Sequence, residues 1–260
     1  MTSPASAVAR PLKPIGSFFA MCIDTFIAMF KPPFQWREFI QQAWFIASVT
    51  IGPAILVSIP FTVLVTFQFE NILQEVGATD LSGAGSALAT VSQIGPICTT
   101  FVLAGASATA ICADLGSRKI REELDALEVL GIDPVHRLVV PRVLATIFVT
   151  FFINGLVMLV GIGGGFFFSV YLKGVSPGQF IDSLTLLTGM GELIQSQTKA
   201  VIFGMLGGLV ACYRGLHVAG GPKGVGNAVN ETVVYAFVLL FPMNVTLTQL
   251  PYALGLLGQN

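Results

Sequence analysis

Long stretches without a charged residue are the strongest constraint on how this chain can fold. Four of them run from Phe39 to Phe69, Leu81 to Ala113, Val143 to Leu172, and Thr232 to the C-terminus. Each exceeds the about 20 apolar residues that a helix needs to cross the hydrocarbon layer of a membrane. A fifth stretch, Leu193 to Tyr213, contains Lys199, which a span tolerates if the ammonium group reaches the membrane surface or faces protein. The sequence therefore predicts an all-α integral membrane protein with five transmembrane helices.

The composition argues against the common soluble functions. Charged residues make up only 10% of the chain, against about a quarter of an average soluble domain. The 13 Lys and Arg balance the 14 Asp and Glu, so the chain lacks the basic surface that binds nucleic acid. We therefore expect a membrane environment, and neither a water-soluble enzyme nor a nucleic-acid partner.

Cysteine and histidine give no sign of a disulfide framework or a metal site. The four cysteines stand singly in apolar stretches without C-x-x-C spacing, which is typical of small packing residues. His136 and His217 lie in different polar loops without a paired ligand. We expect the chain itself to hold no metal and no cofactor.

The N-terminal segment predicts an amphipathic helix. Apolar residues recur at helical spacing from Ile15 to Phe30, but the segment is too short to span a membrane. A signal peptide is the alternative, and Asp24 within the run and Lys31-Pro32-Pro33 after it argue against a cleavable signal. We expect residues 1–38 to be a cytoplasmic N-terminus with an interfacial helix, and residues 39–260 to form one membrane domain.

The basic residues predict the orientation of the five spans. Eleven of the 13 Lys and Arg precede span one or lie in the loops between spans two and three and between spans four and five, and only Lys173 and Lys199 fall on the other side. By the positive-inside rule, the N-terminus is cytoplasmic and the C-terminus is extracytoplasmic.

The cytoplasmic loop from Asp114 to Arg142 is predicted to contain a charged helix over about 117–131. Gly116 ends the preceding span, Ser117 caps the new helix, and Gly131 and Pro134 stop it. Its apolar stripe consists of Ile120, Leu124, Leu127 and Leu130. Its predicted ion pairs, at four-residue spacing, are Arg118 with Glu122, Lys119 with Glu123, and Arg121 with Asp125. The helix is either a linker that rests on the membrane or a docking element for a partner protein, and its acidic residues suit an anionic lipid surface poorly.

The loop sequence Glu122–Pro134, followed by Arg137 and Pro141-Arg142, resembles the signature of the MlaE/YrbE permease family. These proteins are the membrane subunits of ABC transporters that move lipids through MCE-domain proteins. Further similarities, over about residues 15–255, are Gly95-Pro96, Ala104-Gly105, Lys173-Gly174 and Asn230–Val234. Phe34–Phe39 and Cys212–Leu216 are similar to the mycobacterial and actinobacterial YrbE proteins of Mce systems, particularly the A-type of each A/B pair.

The resemblance implies an MlaE-type permease domain over 39–260 whose loop helix is the coupling helix, seated in a groove of a cytoplasmic ABC ATPase. The residues it assigns to ATPase coupling are Arg121, Glu122, Glu123, Leu124, Asp125, Ala126, Leu127, Glu128, Leu130, Gly131, Asp133 and Pro134. The chain contains no G-x-x-x-x-G-K-[ST] motif, so ATP and magnesium are expected on the partner. The other implied partners are a second YrbE-type permease, expected to be a B-type paralogue, and MCE-domain proteins.

The expected lipid path runs past bends in the first two spans, at Gly52-Pro53 and Gly95-Pro96. The residues assigned to the path are Val57, Pro60, Leu64, Ser92, Gln93 and Pro96. Many phospholipid-handling relatives have an Arg-Glu pair where this chain has Ser92-Gln93 and an Arg where it has Ala106, so we expect a weakly polar lipid such as a fatty or mycolic acid. The GxxxG pairs at Gly161/Gly165 and Gly204/Gly208 are predicted to pack helices within the chain.

The predicted function is therefore that of a non-catalytic permease subunit of an Mce lipid transporter in the inner (plasma) membrane, with import as the direction expected of Mce systems. An ion-coupled secondary transporter is the first alternative, and it would need ionisable groups at mid-membrane. A non-transporting scaffold for MCE proteins is the second, and it would tolerate mutation of the charged loop.

Overall fold

The computed structural model describes residues 4–78 and 81–253, which form helices and, over these ranges, no strand. The helix bounds are α1 Pro4–Met29, α2 Trp36–Glu75, α3 Ser82–Ile120, α4 Glu123–Val129, α5 Val135–Tyr171, α6 Pro177–Ser183, α7 Met190–Leu216 and α8 Gly221–Ala253.

Five of these helices, α2, α3, α5, α7 and α8, are long and apolar enough to cross a membrane, which confirms the predicted spans. Their ends extend beyond the uncharged stretches because helical structure continues through the flanking charged residues. Helix α2 has 40 residues, which at 1.5 Å per residue is about 60 Å and exceeds the hydrocarbon thickness of about 30 Å.

The five spans form one bundle in which α5 lies between α2 and α7. Helix α3 contacts α7 and α8, and α8 also contacts α7. The most apolar segments of α3 and α7 are largely buried, whereas those of α2 and α8 are mostly open on the outside of the bundle. We call the end of the bundle that carries α4 the α4 end, and the other the distal end.

Glycine residues let the spans approach closely, as predicted. A Cβ on Gly204 would lie 2.8 Å from the Ile147 Cα, and one on Gly161 would lie 2.7 Å from the Thr90 side chain. The first contact packs α7 against α5, and the second packs α5 against α3. Both GxxxG pairs therefore pack helices within the chain, because Gly165 and Gly208 make similarly close approaches to α3 and α5.

The two predicted bends differ in outcome. Helix α2 continues through Pro53 and Pro60 without interruption. In α3, a π-helical turn at Thr90–Ile94 directly precedes Gly95-Pro96. The wider turn accommodates the missing N–H of Pro96, so the irregularity lies one turn ahead of the proline.

Helix α1 confirms the predicted N-terminal helix, although it begins at Pro4, before the predicted start. Met21 is buried against the bundle at the α4 end, whereas Ile23 and Phe26 are exposed on the opposite face. Cys22 is partly buried, and loss of solvent raises the pKa of its thiol. The apolar exposed face is the one an interfacial helix would present to lipid.

Candidate functional site

The charged loop contains a shorter helix than the one predicted over 117–131. Helix α3 continues to Ile120, the chain turns at Arg121-Glu122, and α4 occupies only Glu123–Val129. The predictions that Gly116 ends span two and that Ser117 caps a new helix are therefore wrong. The hydroxyl of Ser117 donates instead to the Asp114 carbonyl oxygen at 2.8 Å, inside α3.

The break between α3 and α4 is made by Glu122, which has a left-handed backbone with φ of 60°. This conformation is uncommon for a residue with a side chain and interrupts the helical hydrogen bonds. Gly116 serves packing instead, since a Cβ there would lie 2.9 Å from the Val218 side chain.

The three predicted ion pairs at four-residue spacing are also wrong. Because the helix breaks at Glu122, Lys119 reaches across the turn to Asp125, with Nζ 2.5 Å from Oδ1. Arg121 pairs with Glu123 at 2.9 Å, and Arg118 pairs backward with Asp114 at 3.4 Å. The first two pairs hold α4 against the end of α3.

The prediction that Gly131 ends the helix is confirmed. Gly131 has φ of 71°, and its N–H donates to the Glu128 carbonyl oxygen at 3.0 Å while the Ile132 N–H donates to that of Leu127 at 2.9 Å. This is the Schellman pattern of a helix C-terminus. Asp133 then accepts a hydrogen bond from the Val135 N–H at 2.9 Å, so Asp133-Pro134 begin α5 instead of stopping α4.

Helix α4 has a buried base and an exposed apolar tip. Leu124 is only 3% exposed and belongs to the main core, and Leu127 is partly buried against it. Val129 and Leu130 are 88% and 73% exposed. Of the predicted apolar stripe, Leu124 is therefore buried within the chain, whereas Leu130 is exposed. All twelve residues assigned to coupling lie in one protrusion between α3 and α5.

Arg142 joins three spans just below this protrusion. Its guanidinium group, which is 0% exposed, lies 2.6 Å from Asp114 Oδ2 on α3 and 3.3 Å from Glu38 Oε1 on α2. It also donates to the Leu138 carbonyl oxygen on α5 at 3.0 Å. We call Glu38, Asp114 and Arg142 the three-helix ion cluster. It couples the ends of α2, α3 and α5 at the α4 end.

Sequence reasoning missed this cluster, although a signal existed. Each of its members is the charged residue that bounds an uncharged stretch: Glu38 precedes the first, Asp114 follows the second, and Arg142 precedes the third. All three residues lie on the same predicted side of the membrane. Opposite charges at equal depth on neighbouring spans are expected to pair.

The segment between α1 and α2 is attached to the same region. His136 Nε2 lies 3.1 Å from the Lys31 carbonyl oxygen, and Arg137 donates to the Gln35 side chain. The hydroxyl groups of Ser17 on α1 and Tyr213 on α7 lie 2.6 Å apart. These contacts attach the segment after α1 to the first turn of α5, and α1 itself to α7, at the α4 end.

The six predicted lipid-path residues differ in their exposure. Pro60 and Leu64 are exposed on the outside of α2, Val57 is partly buried, and Gln93 is exposed on α3. Ser92 and Pro96 are buried among the helices. Only part of the predicted set therefore faces an open surface.

An open aromatic face is formed by residues of α2, α3 and α8. The Phe101 ring on α3 lies 5.9 Å from that of Phe61 on α2, and 5.5 and 5.7 Å from those of Phe237 and Phe241 on α8. A shallow cleft of about 590 Å³ opens beside Phe101, Phe237 and Phe241. We call this surface the aromatic face.

A buried lysine lies deeper in the bundle. Lys199 is 1% exposed, and its Nζ donates to the Ser92 carbonyl oxygen at 3.2 Å and to Thr248 Oγ1 at 2.9 Å. The sequence left two environments open for the ammonium group of Lys199, the membrane surface or other parts of the protein, and in the structure it faces protein. Among the described residues, no group of three or more His, Cys, Asp or Glu side chains is placed to hold a metal ion.

Residues 39–250 match the family described as permease MlaE, a range that includes α3 to α7, all but the first three residues of α2 and all but the last three residues of α8. The chain belongs to the MlaE permease family. It is 32% identical to a probable ABC transporter permease of Synechocystis sp. over 80% of this chain and 76% of the relative. It is 27% identical to a probable ABC transporter permease of Rickettsia bellii over 93% of each chain.

A third relative carries a more specific name. The chain is 26% identical to the intermembrane phospholipid transport system permease protein MlaE of Haemophilus influenzae, over 75% of this chain and 72% of the relative. The range that matches the family contains α4, Lys199 and two members of the three-helix ion cluster, Asp114 and Arg142, and it begins one residue after the third member, Glu38. Helix α1 precedes it, so the MlaE family match does not extend to the attachment of α1.

Proposed function

We propose that the chain is the permease subunit of an ABC-type Mce lipid transport complex, and that α4 is the coupling helix for a separate cytoplasmic ATPase. The observation that carries this proposal is the contrast within α4. Its tip exposes Val129 and Leu130, whereas its base is fixed by the buried Leu124 and by the pair between Lys119 and Asp125. An exposed apolar tip is typical of a docking surface.

The fixed base gives a route by which docking can act on the spans. A force applied at α4 reaches Asp114 through the end of α3, and the three-helix ion cluster joins Asp114 to α5 and α2. In this proposal the partner binds ATP and magnesium, whereas this chain transmits the movement from α4 to the spans and forms the lipid path. The coupled movement would rearrange the spans around the lipid.

The aromatic face supports pairing with a second permease. Large apolar surfaces without a partner are typical of interaction sites, and this one lies on helices α2 and α8, the least buried spans. A second YrbE-type permease, as a B-type paralogue, would cover it and enclose a lipid path between the two chains. The MCE-domain proteins would contact the distal end, which is extracytoplasmic when the basic α4 end lies in the cytoplasm of an inner-membrane protein.

The lipid we propose is a fatty acid or another weakly polar lipid, moved inward. The resemblance to phospholipid-handling members of the family, many of which have an Arg-Glu pair where this chain has Ser92-Gln93, implies a less polar cargo here, because this chain lacks those charges. Reconstituted vesicles with the full complex test this directly by comparing uptake of a free fatty acid and a diacyl phospholipid. Faster transport of the phospholipid would contradict it.

The coupling proposal is tested by Leu130→Asp, which places a charge on the exposed tip. Leu186→Asp is the matched control, because Leu186 is 63% exposed at the distal end. We expect Leu130→Asp to lower copurification of the ATPase at least about tenfold, since a buried charge in the docked state has no partner. Equal copurification by both variants would contradict the proposal and favour a scaffold.

A further inference from the structure

Lys199 has an electrostatic environment that the coupling mechanism does not explain. The two acceptors of its ammonium group, the Ser92 carbonyl and the Thr248 hydroxyl, are both neutral. Among the described residues, no carboxylate lies within 4.0 Å of Nζ, whereas Arg142, the other fully buried cation, has two. A buried charge without a counter-charge is costly, and in a membrane protein it indicates a site for a ligand.

Two further polar groups beside Lys199 lack a partner. Ser92 Oγ and Asn244 Oδ1 are buried without a hydrogen bond. Asn244 lies one turn before Thr248 on α8, and the Thr248 hydroxyl that accepts from Lys199 donates to the Asn244 carbonyl oxygen at 2.7 Å. The junction of α3, α7 and α8 thus holds one cation and two unpaired polar groups.

A cavity of about 390 Å³ opens between α7 and α8 beside Lys199. Lys199 is one of its lining residues, and its walls include the apolar side chains of Ile194, Leu247 and Leu250. The volume is within the about 300–1,000 Å³ typical of small-molecule sites. Lys199 lies nine residues after Met190, so the charge is about 14 Å along α7 from the distal end.

We infer that Lys199 binds the carboxylate of a single-chain lipid whose alkyl chain lies in this cavity. One ammonium group balances one carboxylate, whose oxygens accept the remaining N–H of Lys199. The single cavity with apolar walls holds one chain, whereas a diacyl phospholipid brings two. This inference rests on the proposed function, because it assigns a binding site to the proposed cargo.

The test uses the complex purified from membranes with its partners, and a palmitic acid analogue that carries a photoreactive group on its chain. We expect labelling of the α7 and α8 segments that line the cavity. Lys199→Gln keeps a hydrogen-bond donor for Ser92 and Thr248 but removes the charge, so labelling should fall at least about tenfold, as for the loss of one charge-assisted hydrogen bond. Lys173→Gln is the matched control, because Lys173 bonds Asn71 at the distal end.

The head group is tested in the wild-type complex, without any substitution. The matching photoreactive alcohol should label the cavity as weakly as the acid labels Lys199→Gln, and a diacyl phospholipid should compete poorly with the acid. Equal labelling by acid and alcohol, unchanged labelling of Lys199→Gln, or equal competition by the phospholipid would overturn the inference. ATPase copurification is measured in parallel, so failure of this site is distinguished from failure of the proposed function.

Discussion

Arg142→Met tests whether the three-helix ion cluster joins the spans as the structure indicates. Methionine keeps an unbranched side chain of similar length but removes the guanidinium group that contacts Asp114 and Glu38. Two carboxylates then remain at the α4 end without their shared cation. The substitution should therefore lower the free energy of unfolding and loosen α2, α3 and α5 from each other.

The expected loss in free energy of unfolding follows from the burial of the ion cluster. Breaking a buried ion pair by removing one partner costs about 3–5 kcal/mol. The side chains of Asp114 and Glu38 keep 27% and 21% of their exposure, so water recovers part of this cost and we expect about 3 kcal/mol. Asp114→Asn should cost about 1.5 kcal/mol, because Arg142 retains Glu38 and the Leu138 carbonyl.

The assay is unfolding in mixed micelles of a mild detergent and sodium dodecyl sulfate, followed by tryptophan fluorescence. The chain has two tryptophans, and both Trp36 and Trp44 lie in α2 near Glu38. The double variant, Arg142→Met with Asp114→Asn, should have a free energy of unfolding no lower than that of Arg142→Met alone. The two substitutions would then have a coupling energy of about 1.5 kcal/mol. Lys119→Met removes the more exposed pair with Asp125 and should cost less than about 1 kcal/mol. Additive effects of the two cluster substitutions would refute this reasoning.

Three backbone predictions use the same unfolding assay. Gly204→Ala should cost about 1–3 kcal/mol, because its Cβ would lie 2.8 Å from the Ile147 Cα, whereas Gly163→Ala, with no atom within 4 Å, should change stability by less than about 0.5 kcal/mol. Gly131→Ala places a side chain at φ of 71° and should cost about 1 kcal/mol. Glu122→Gly relieves a φ of 60° and should stabilise the protein by up to about 1 kcal/mol.

Each of these predictions can fail independently. Equal effects at Gly204 and Gly163 would show that close helix approach is not what the glycine provides. A neutral Gly131→Ala would mean that the end of α4 tolerates a side chain at positive φ. Loss of stability in Glu122→Gly would indicate that the Glu122 side chain stabilises the turn more than its backbone strain costs.

Charge spacing was sufficient to predict four of the five spans, and the fifth also needed the argument that a span tolerates Lys199. Runs such as Phe39 to Phe69 predict a spanning helix, because a helix satisfies its backbone hydrogen bonds within the segment itself. The sequence also predicted the packing of Gly204 and the helix end at Gly131. Both features have a local sequence pattern, a GxxxG pair within a span and a glycine after the last apolar residue of a helix, so they can be predicted before the contact partners are known.

The predictions that failed depend on tertiary contacts. Gly116 and Ser117 match a helix boundary locally, yet Gly116 packs against Val218 and the helix continues. The left-handed turn falls on Glu122, a residue type with no preference for that conformation. The partners of Lys199 lie 107 and 49 residues away along the chain, so no local pattern identifies them.

The most direct test of the account is crosslinking from the exposed tip of α4 in native membranes. A photoreactive amino acid replaces Leu130, the membranes are irradiated, and the crosslinked partner is identified by mass spectrometry. We expect a crosslink to a cytoplasmic ATPase subunit, and we expect the yield of this crosslink to change when nucleotide is trapped in the ATPase. Crosslinks to lipid alone, with no protein partner, would contradict it.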